Sequence, residues 1–432
     1  MYHSRDWVNP QIEATIAGYA TEQLTQSADH IHDEITQLIQ QNQQIHEQDC
    51  INLNPGTNTM NPKAEAVLSQ GLGRPSLGYP GDKYEMGLEG IERIEILAAA
   101  LACEIFEAHY AEVRVPSGAI ANLYAFMATV NPGDTIITPP PSIGGHVTHH
   151  HPGAAGLYGV NSLHMPIDPA SYTVDLDGLR AMAHETKPKL ITIGGSLNLN
   201  QHPVADVRTI ADEVGAKVLF DAAHLSGIIA GKAWSNPLHH GAHLMTMSTY
   251  KSLGGPAAGL VLTNDAELAA RIDSIAYPGL TANFDAGKTA ALAISLLDWR
   301  EYGEAYAQKM VETAQHLAHE LAQRNLPVFE TKSGYTQSHQ FALMAAKGGQ
   351  AAAKLLRQSN ILSCGIGLPI QPVDGDVNGL RLGTNEIVRW GMDVHDMPTI
   401  AEFIKRVMIN GENVAADVTA FRQPFQTVQY IR

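Results

Sequence analysis

The chain has 432 residues, with 28 basic residues against 44 acidic ones and a net charge of −16 at pH 7. This acidic balance disfavours nucleic acid and anionic membranes as partners. The three cysteines are too far apart for a disulfide framework, and no apolar stretch approaches the roughly 20 residues that span a bilayer. We therefore expect a soluble, cytoplasmic protein of two or three structural units.

The first predicted element is an N-terminal helical arm at residues 1–49. From Ile12 to about Gln48 the sequence is polar and rich in glutamine, with apolar residues at helical spacing. Residues 1–50 contain one basic residue, Arg5, among eight acids, which opposes a secretory or mitochondrial leader. Glutamine-rich segments often stay unstructured, so a disordered extension is the alternative.

A second helix is predicted from about Gly87 to Phe106, because apolar residues recur there at intervals of three and four. We expect these residues to face the core; they are Leu88, Ile91, Ile94, Leu97, Leu101 and Ile105.

Between about residues 110 and 265, short β-rich runs alternate with helical ones such as Ala205 to Val214. The β-rich runs are Thr135 to Thr138, Leu190 to Ile193, Lys217 to Phe220, Leu244 to Ser248 and Leu260 to Thr263. They predict an α/β fold, with a mostly parallel sheet flanked by helices in a large domain at 50–299. A long helix from Ala293 to Asn325 leads into a smaller C-terminal α+β domain at 300–432.

Residues that follow the strands of an open parallel sheet are the first candidates for a site, because ligands lie beyond the carboxyl ends. Asp221 ends one apolar run, and His224 follows three residues later. A carboxylate in this place suits a pyridinium nitrogen, and the histidine suits a substituent of the same ring. The alternative is a strand-end aspartate that caps the next helix.

Lys251 lies between another apolar run and a glycine-rich turn. Partial desolvation there lowers the pKa of a lysine and favours its attack on a carbonyl group. The hydroxyls of Ser248, Thr249 and Ser252 suit a phosphate. An exposed turn lysine is the alternative.

Three further candidates lie elsewhere in the chain. Ser117 and Gly118 open a helix whose N-terminal N–H groups suit a phosphate, unless Ser117 is an ordinary N-cap. His146 follows paired glycines and suits a ligand ring, although it also begins a run of histidines that raises metal binding as an alternative. We expect no metal, because no nearby Cys or carboxylate completes a ligand set. Arg381 suits bidentate capture of a carboxylate, unless it is a surface strand residue.

Taken in order, these motifs resemble fold-type I enzymes that use pyridoxal 5′-phosphate (PLP), and more closely the serine hydroxymethyltransferase family. The resemblance covers about residues 50–410 and includes Tyr79-Pro80-Gly81, which matches the family's YPG motif. It implies that Lys251 carries PLP as a Schiff base and that His146 stacks on the cofactor ring. Arg381 then holds the carboxylate of a small amino-acid substrate.

The same resemblance assigns the remaining cofactor residues. Asp221 and His224 match the pair that holds the pyridine nitrogen and the ring oxygen, and Ser196 matches a serine near that oxygen. Ser117 and Gly118 match the phosphate-binding SG motif. A glycine-rich phosphate loop from a neighbouring subunit is shortened here around Gly279. The family completes each site with a second subunit, so a homodimer or homotetramer is expected, with Tyr84 and the 277–287 loop as plausible shared parts.

Several departures from the family pattern point to a different activity. Pro75-Ser76-Leu77 stands where the family has Tyr-x-Glu, and Leu77 cannot exchange a proton as the folate-dependent glutamate does. Tyr84 and Glu85 replace paired tyrosines near the substrate, and Tyr250 replaces a histidine before the lysine. Gly56 replaces a serine that contacts the substrate carboxylate, and Ala119 replaces a second phosphate-binding serine.

The cofactor residues are kept while the one-carbon residues are not, so we predict a folate-independent aldolase, transaldolase or hydroxymethyltransferase-like enzyme. Its substrates are small β-hydroxy-α-amino acids of the serine, threonine or α-methylserine type. The alternatives are a racemase that acts on Cα–H, with Lys251 and Tyr250 near opposite faces, and a conventional serine hydroxymethyltransferase. A PLP-binding scaffold without turnover and a histidine-cluster metal binder are the alternatives from other classes.

Overall fold

The structure is a computed structural model that describes residues 3–72 and 76–432. The helices of this part of the chain are α1 Pro10–Leu24, α2 Ala28–Gln43, α3 Pro62–Ala66, α4 Glu89–Phe106, α5 Gly118–Thr129, α6 Ala154–Leu157, α7 Leu176–Thr186, α8 Val204–Val214, α9 Ser226–Ala230, α10 Ala266–Ser274, α11 Ala286–Gln323, α12 Gly349–Arg357, α13 Asn385–Arg389, α14 Met397–Met408 and α15 Ala415–Arg422. Its strands are β1 Ile51–Asn52, β2 Gly78–Tyr79, β3 Asp82–Lys83, β4 Tyr110–Val115, β5 Thr135–Thr138, β6 Asn161–His164, β7 Ile167–Asp168, β8 Thr173–Val174, β9 Leu190–Gly194, β10 Lys217–Asp221, β11 Leu244–Ser248, β12 Gly259–Thr263, β13 Gln340–Met344, β14 Ile361–Leu362, β15 Cys364–Ile366 and β16 Gly379–Gly383.

The N-terminal arm contains two helices, α1 and α2. Ser27 ends the link between α1 and α2 by accepting the His30 N–H at 3.2 Å, which makes it the N-cap of α2. Polar residues cover most of α2, and three of its four large apolar side chains are exposed: Ile35, Leu38 and Ile39. The arm therefore packs little of its apolar surface against the rest of its own chain.

A seven-stranded sheet in the order β4-β12-β11-β10-β9-β5-β6 forms the centre of the molecule. The neighbours from β11 to β6 are parallel, whereas β12 is antiparallel to both β11 and β4. Strands β9, β11 and β12 are buried along their whole length, as expected for a sheet with helices on both faces. The predicted fold class, a mostly parallel sheet flanked by helices, is confirmed.

Helix α4 buries part of the face predicted, since Leu88, Ile91 and Ile105 are buried. Leu97 was expected in the core but is 58% exposed, whereas Glu95 on the neighbouring face is 3% exposed. Two small residues, Ala98 and Ala102, also belong to the buried face and allow close approach to the core. Glu95 is accommodated there because Lys83 lies 2.5 Å from its carboxylate.

Helix α11 is 38 residues long and begins at Ala286, ahead of the predicted start at Ala293. Asp285 begins it as N-cap by accepting the Lys288 N–H at 3.1 Å. Since the helix continues to Gln323, it runs across the predicted domain boundary near residue 300, which stays a prediction.

The C-terminal part contains an antiparallel sheet in the order β13-β16-β15. Strand β1 pairs with β14, which joins the segment that precedes the large sheet to this C-terminal part. In residues 3–72 and 76–432, no helix combines the length and the hydropathy needed to cross a bilayer.

Candidate active site

A cavity of about 130 Å³ lies beyond the carboxyl ends of β9, β10 and β11 and beside the first turn of α5. It is where parallel strands are expected to place a ligand site. Eight of the predicted site residues line it: Ser117, Gly118, His146, Ser196, Asp221, His224, Ser248 and Lys251. Strands, loops and a helix far apart in the sequence therefore converge on one point.

Asp221 is buried at the end of β10 and holds a fixed orientation. Its Oδ1 accepts the Ala223 N–H at 3.0 Å, and its Oδ2 accepts the Asn122 amide at 3.0 Å. His149 Nε2 lies 2.9 Å from the same Oδ2. Burial alone would raise the pKa of Asp221, but the hydrogen bond and charge of His149, together with Asn122, hold it well below its usual range. The carboxylate is thus ionised at neutral pH.

Sequence analysis did not assign Asn122 and His149 to the site. Asn122 lies in the first turns of α5, and its Oδ1 accepts from Thr246 at 2.6 Å, which turns its amide nitrogen towards Asp221. His149 follows His146 by one short turn and packs edge-on against Phe126. The only sequence signal for His149 was its place in the histidine run.

Lys251 follows β11 in a tightly held turn. Its pKa is lowered to about 8, first by burial and then by the charge of Arg381, with Asp221 opposing the shift. Within the described ranges, no hydrogen-bond or ion-pair partner reaches Nζ, which lies 5.9 Å from the centre of the Tyr250 ring. The turn is fixed by Trp299, whose indole N–H donates to the Leu253 carbonyl at 2.7 Å. Lys251 is therefore a half-buried residue whose amine has a substantial neutral fraction near pH 8.

His224 and Arg381 are in contact with each other. Nη1 of Arg381 lies 3.3 Å from Nε2 of His224 and also donates to the Ser196 carbonyl. Gln340 Nε2 lies 3.1 Å from Nδ1 of the histidine. Burial, followed by the charges of Lys251 and Arg381, keeps the pKa of His224 well below its usual value. The imidazole is therefore neutral, and Arg381 carries the positive charge at this end of the site.

The start of α5 serves both as a helix cap and as part of the cavity wall. Ser117 Oγ accepts the Ile120 N–H at 3.2 Å, so the N-cap alternative is correct for the free protein. A Cβ at Gly118 would lie 3.0 Å from Cβ of Ser248, which explains why glycine is needed there. The helix N-terminus is a suitable anion site in addition.

Arg381 does not line this cavity itself and contacts it through Ser196 and His224. Tyr84, Glu85, Gly56 and Gly279 do not line it either. Tyr84 is 77% exposed, and the carboxylate of Glu85 accepts the Leu77 N–H at 3.2 Å. The segment Ile275–Leu280 contains Gly279 and packs on the hairpin through Tyr79, whose hydroxyl donates to the Tyr277 carbonyl at 2.7 Å. The roles of these four residues stay predictions, and Pro75 lies outside the described residues.

The histidine run is divided between two environments. His149 contacts Asp221, whereas His150 packs edge-on against His164 with ring centres 5.0 Å apart. No group of three or more His, Cys, Asp or Glu side chains within residues 3–72 and 76–432 is arranged to hold a metal ion.

A half-buried lysine beyond β11, a buried ionised aspartate beyond β10 and a helix N-terminus around one cavity define an enzyme site of the fold-type I PLP class. Residues 28–404 match the family described as serine hydroxymethyltransferase, and the chain belongs to this family. The family and fold predicted from the sequence are confirmed.

Several relatives are similar along almost the whole chain. The α-methylserine aldolase of Variovorax paradoxus is 61% identical over 431 residues, which cover 99% of this chain and 98% of that protein. The α-methylserine aldolase of a Ralstonia species is 56% identical, with full coverage of both. The serine hydroxymethyltransferase of Sulfolobus acidocaldarius is 36% identical over 92% of this chain and 94% of that protein.

Among solved structures, the L-threonine transaldolase of Pseudomonas fluorescens in its internal aldimine state superposes with a TM-score of 0.85. It covers 96% of both chains at 23% identity, a likeness that shows the fold. With these relatives, the prediction of a PLP-dependent enzyme of the aldolase and hydroxymethyltransferase group is confirmed.

Proposed function

We propose that this protein is a folate-independent aldolase that cleaves the Cα–Cβ bond of α-methylserine or a close β-hydroxy-α-amino acid. The observation that carries the proposal is that Lys251 and Asp221 line one cavity and that Arg381 contacts two further lining residues, Ser196 and His224. Leu77 stands at the position of the family's glutamate. The names of the relatives that are 56 to 61% identical support the same substrate class.

The residues around the cavity fit PLP as the cofactor. Lys251 presents an amine without a hydrogen-bond partner among the described residues, which suits covalent attachment to an aldehyde. Gly118 leaves the α5 N-terminus open for a phosphate, and Asp221 offers an ionised carboxylate for a pyridinium nitrogen.

When bound, PLP supplies the electron sink for the electron pair left on Cα after the bond breaks. Arg381 holds the substrate carboxylate and thereby decides which bond at Cα stands perpendicular to the ring. Asp221 keeps the pyridine nitrogen protonated, with His149 and Asn122 fixing its orientation. His146, whose pKa is lowered chiefly by burial, is neutral and suits stacking on the ring.

The side chain of Leu77 cannot accept a proton. The hydroxyl proton of the substrate therefore needs another residue as its acceptor. The cavity offers His146 and Tyr250 for proton transfer beside Lys251. Proton transfer by a placed side chain contributes on the order of 10²–10⁴-fold to the rate.

We further propose that the protein is a homodimer in the cytoplasm and that Tyr84 of one chain serves the site of the other. Exposed apolar residues support an interface between two copies: Ile35, Leu38, Ile39, Met86, Ile96 and Leu97. Tyr84 is exposed and does not line the cavity of its own chain. This is expected of a residue that contributes to the site of a partner chain.

Formaldehyde and acetaldehyde release from a panel of amino acids tests the activity. The purified holoenzyme is given α-methylserine, serine and threonine of both configurations, with and without tetrahydrofolate. We expect formaldehyde from α-methylserine and no effect of folate, and Lys251→Ala serves as the inactive control. Strict dependence on folate would contradict the proposal.

A racemase is the second candidate, because Tyr250 lines the cavity next to Lys251 and offers a second group for proton transfer. Deuterium incorporation at Cα of a small amino acid, with loss of optical rotation and no aldehyde, would favour it over the aldolase.

A further inference from the structure

Cys364 lies beside Arg381 on one face of the C-terminal sheet, because the two residues are directly paired across β15 and β16. Nη2 of the arginine is 3.0 Å from the sulfur, and Nε is 3.3 Å from it. Both N–H groups on one edge of the guanidinium therefore point at a single thiol.

The thiol also has a partner on its other side. Cys364 donates to Oδ1 of Asn54 at 3.2 Å, and the same oxygen accepts the Gly56 N–H at 3.0 Å. The Asn54 N–H donates to Oδ1 of Asn52 at 2.9 Å, and Nδ2 of Asn52 donates to buried Glu386 at 2.7 Å. Cys364 thus connects a hydrogen-bonded, partly buried loop to the guanidinium.

The remaining contacts of Arg381 leave one N–H group for a ligand. Of the five N–H groups of an arginine, two point at Cys364, and Nη1 reaches the Ser196 carbonyl and His224. The fifth, on Nη2, has no hydrogen-bond partner within the described ranges. It lies on the edge formed by Nη1 and Nη2, whereas the thiol faces the edge formed by Nε and Nη2.

We propose that Cys364 is a positioning residue that orients Arg381 for the substrate carboxylate, a role that rests on the proposed function. A thiol is a weak hydrogen-bond acceptor, so it orients the guanidinium without neutralising its charge. A carboxylate at this position would pair with the arginine and compete with the substrate. The side chain at 364 therefore sets how strongly the site binds a carboxylate.

Two ligands separate this role from general damage to the site. The holoenzyme is titrated with L-alanine, which carries a carboxylate on Cα, and with ethylamine, the same amine without it, while the absorbance of the cofactor is followed. For Cys364→Ala we expect the dissociation constant of L-alanine to rise about tenfold, the size of a lost hydrogen bond to a charged group, with that of ethylamine unchanged. In turnover, KM rises while kcat changes little.

Two other substitutions at the same position sharpen the test. Cys364→Ser keeps a hydroxyl that can donate and accept, so it should recover most of the affinity for L-alanine. Cys364→Asp should bind L-alanine more weakly than Cys364→Ala does, because it neutralises the guanidinium.

The loop partner provides an independent measurement. Asn54→Ala should weaken L-alanine binding in the same way, and the double variant should lose no more than the larger single loss, since both act through one network. Additive losses, an unchanged affinity for L-alanine, or equal losses for L-alanine and ethylamine would overturn the role of Cys364. A wild-type holoenzyme that responds to neither ligand would instead overturn the proposed function.

Discussion

His149 and Asp221 form a contact in which Nε2 of the histidine lies 2.9 Å from Oδ2 of the aspartate, with both side chains buried. This contact, with Asn122 on the same oxygen, keeps the pKa of Asp221 low despite its burial. The aspartate is thus prepared as a carboxylate before any ligand arrives. His149 belongs to the site as much as the residues recognised from the sequence do.

The first prediction concerns this pair. His149→Ala should raise the pKa of Asp221 and lower the affinity of the apoenzyme for PLP by about 1.5–3 kcal/mol, the range for a hydrogen bond to a charged group. Fluorescence titration of the apoenzyme with PLP measures the change. His150→Ala is the matched control, because His150 packs on His164 instead. Equal losses in the two variants would contradict a specific role for His149.

The second prediction follows from the lowered pKa of Lys251. At pH 7 the amine is charged in both the folded and the unfolded apoenzyme, and its burial in the folded form costs stability. The pKa of Lys251 is about 8 in the folded protein, against an ordinary value of 10.5. Lys251→Met should therefore raise the free energy of unfolding of the apoenzyme at pH 7 by about 3 kcal/mol at most. The gain should shrink as the pH rises from 8 to 10.5, because the lysine of the folded protein is then neutral and its burial costs less.

Urea unfolding of the apoenzyme at pH 7 and pH 9.5 measures this difference. Lys347→Met, at an exposed lysine, is the control and should show no such change between the two pH values. A gain for Lys251→Met that stays constant with pH would mean that the lysine is not desolvated.

The third prediction concerns Glu85, whose carboxylate accepts the Leu77 N–H at 3.2 Å and so holds the hairpin of β2 and β3 closed. Glu85→Ala should destabilise the hairpin by about 1 kcal/mol, a typical value for one hydrogen bond. Hydrogen exchange of residues 77–84 should then become faster. Glu85→Gln keeps an accepting oxygen and should exchange like the wild type; an equal increase in both variants would argue for a role of the charge.

The fourth prediction tests the sharing of Tyr84 between two chains. Tyr84→Phe and Lys251→Ala should each be inactive alone, whereas refolding them together should restore about a quarter of the wild-type activity. Half of the dimers then contain one chain of each variant. In such a dimer both substitutions affect one site, and the second site is left intact. Absence of any recovery would show that Tyr84 serves its own chain.

The sequence predicted most of the site because parallel strands end at one edge of a sheet, which brings Asp221, Lys251 and the loop of Ser196 together. It could not separate His149 from His150, because the direction of each ring depends on the short turn at Val147–His149. It also missed the contact of Cys364 with Arg381, since the register between two antiparallel strands depends on the connection between them.

The error at Leu97 has a different origin. Helix α4 carries apolar residues on more than one face, so periodicity alone does not decide which face is buried. Ala98 and Ala102 face the core, and the larger Leu97 is left for solvent or for a second chain.

Helix α11 contacts both ends of the ligand site: the turn of Lys251 and the segment that follows the strand of Arg381. In its first half Trp299 holds the turn of Lys251 through the Leu253 carbonyl. Two turns later Tyr306 donates to the Asn385 carbonyl, just beyond the strand that carries Arg381. A residue inserted between the two aromatic side chains would rotate one end against the other by about 100°. One continuous helix therefore links the turn that carries the amine to the segment beside the strand that carries the guanidinium, and it ties the separation of the two to its own length.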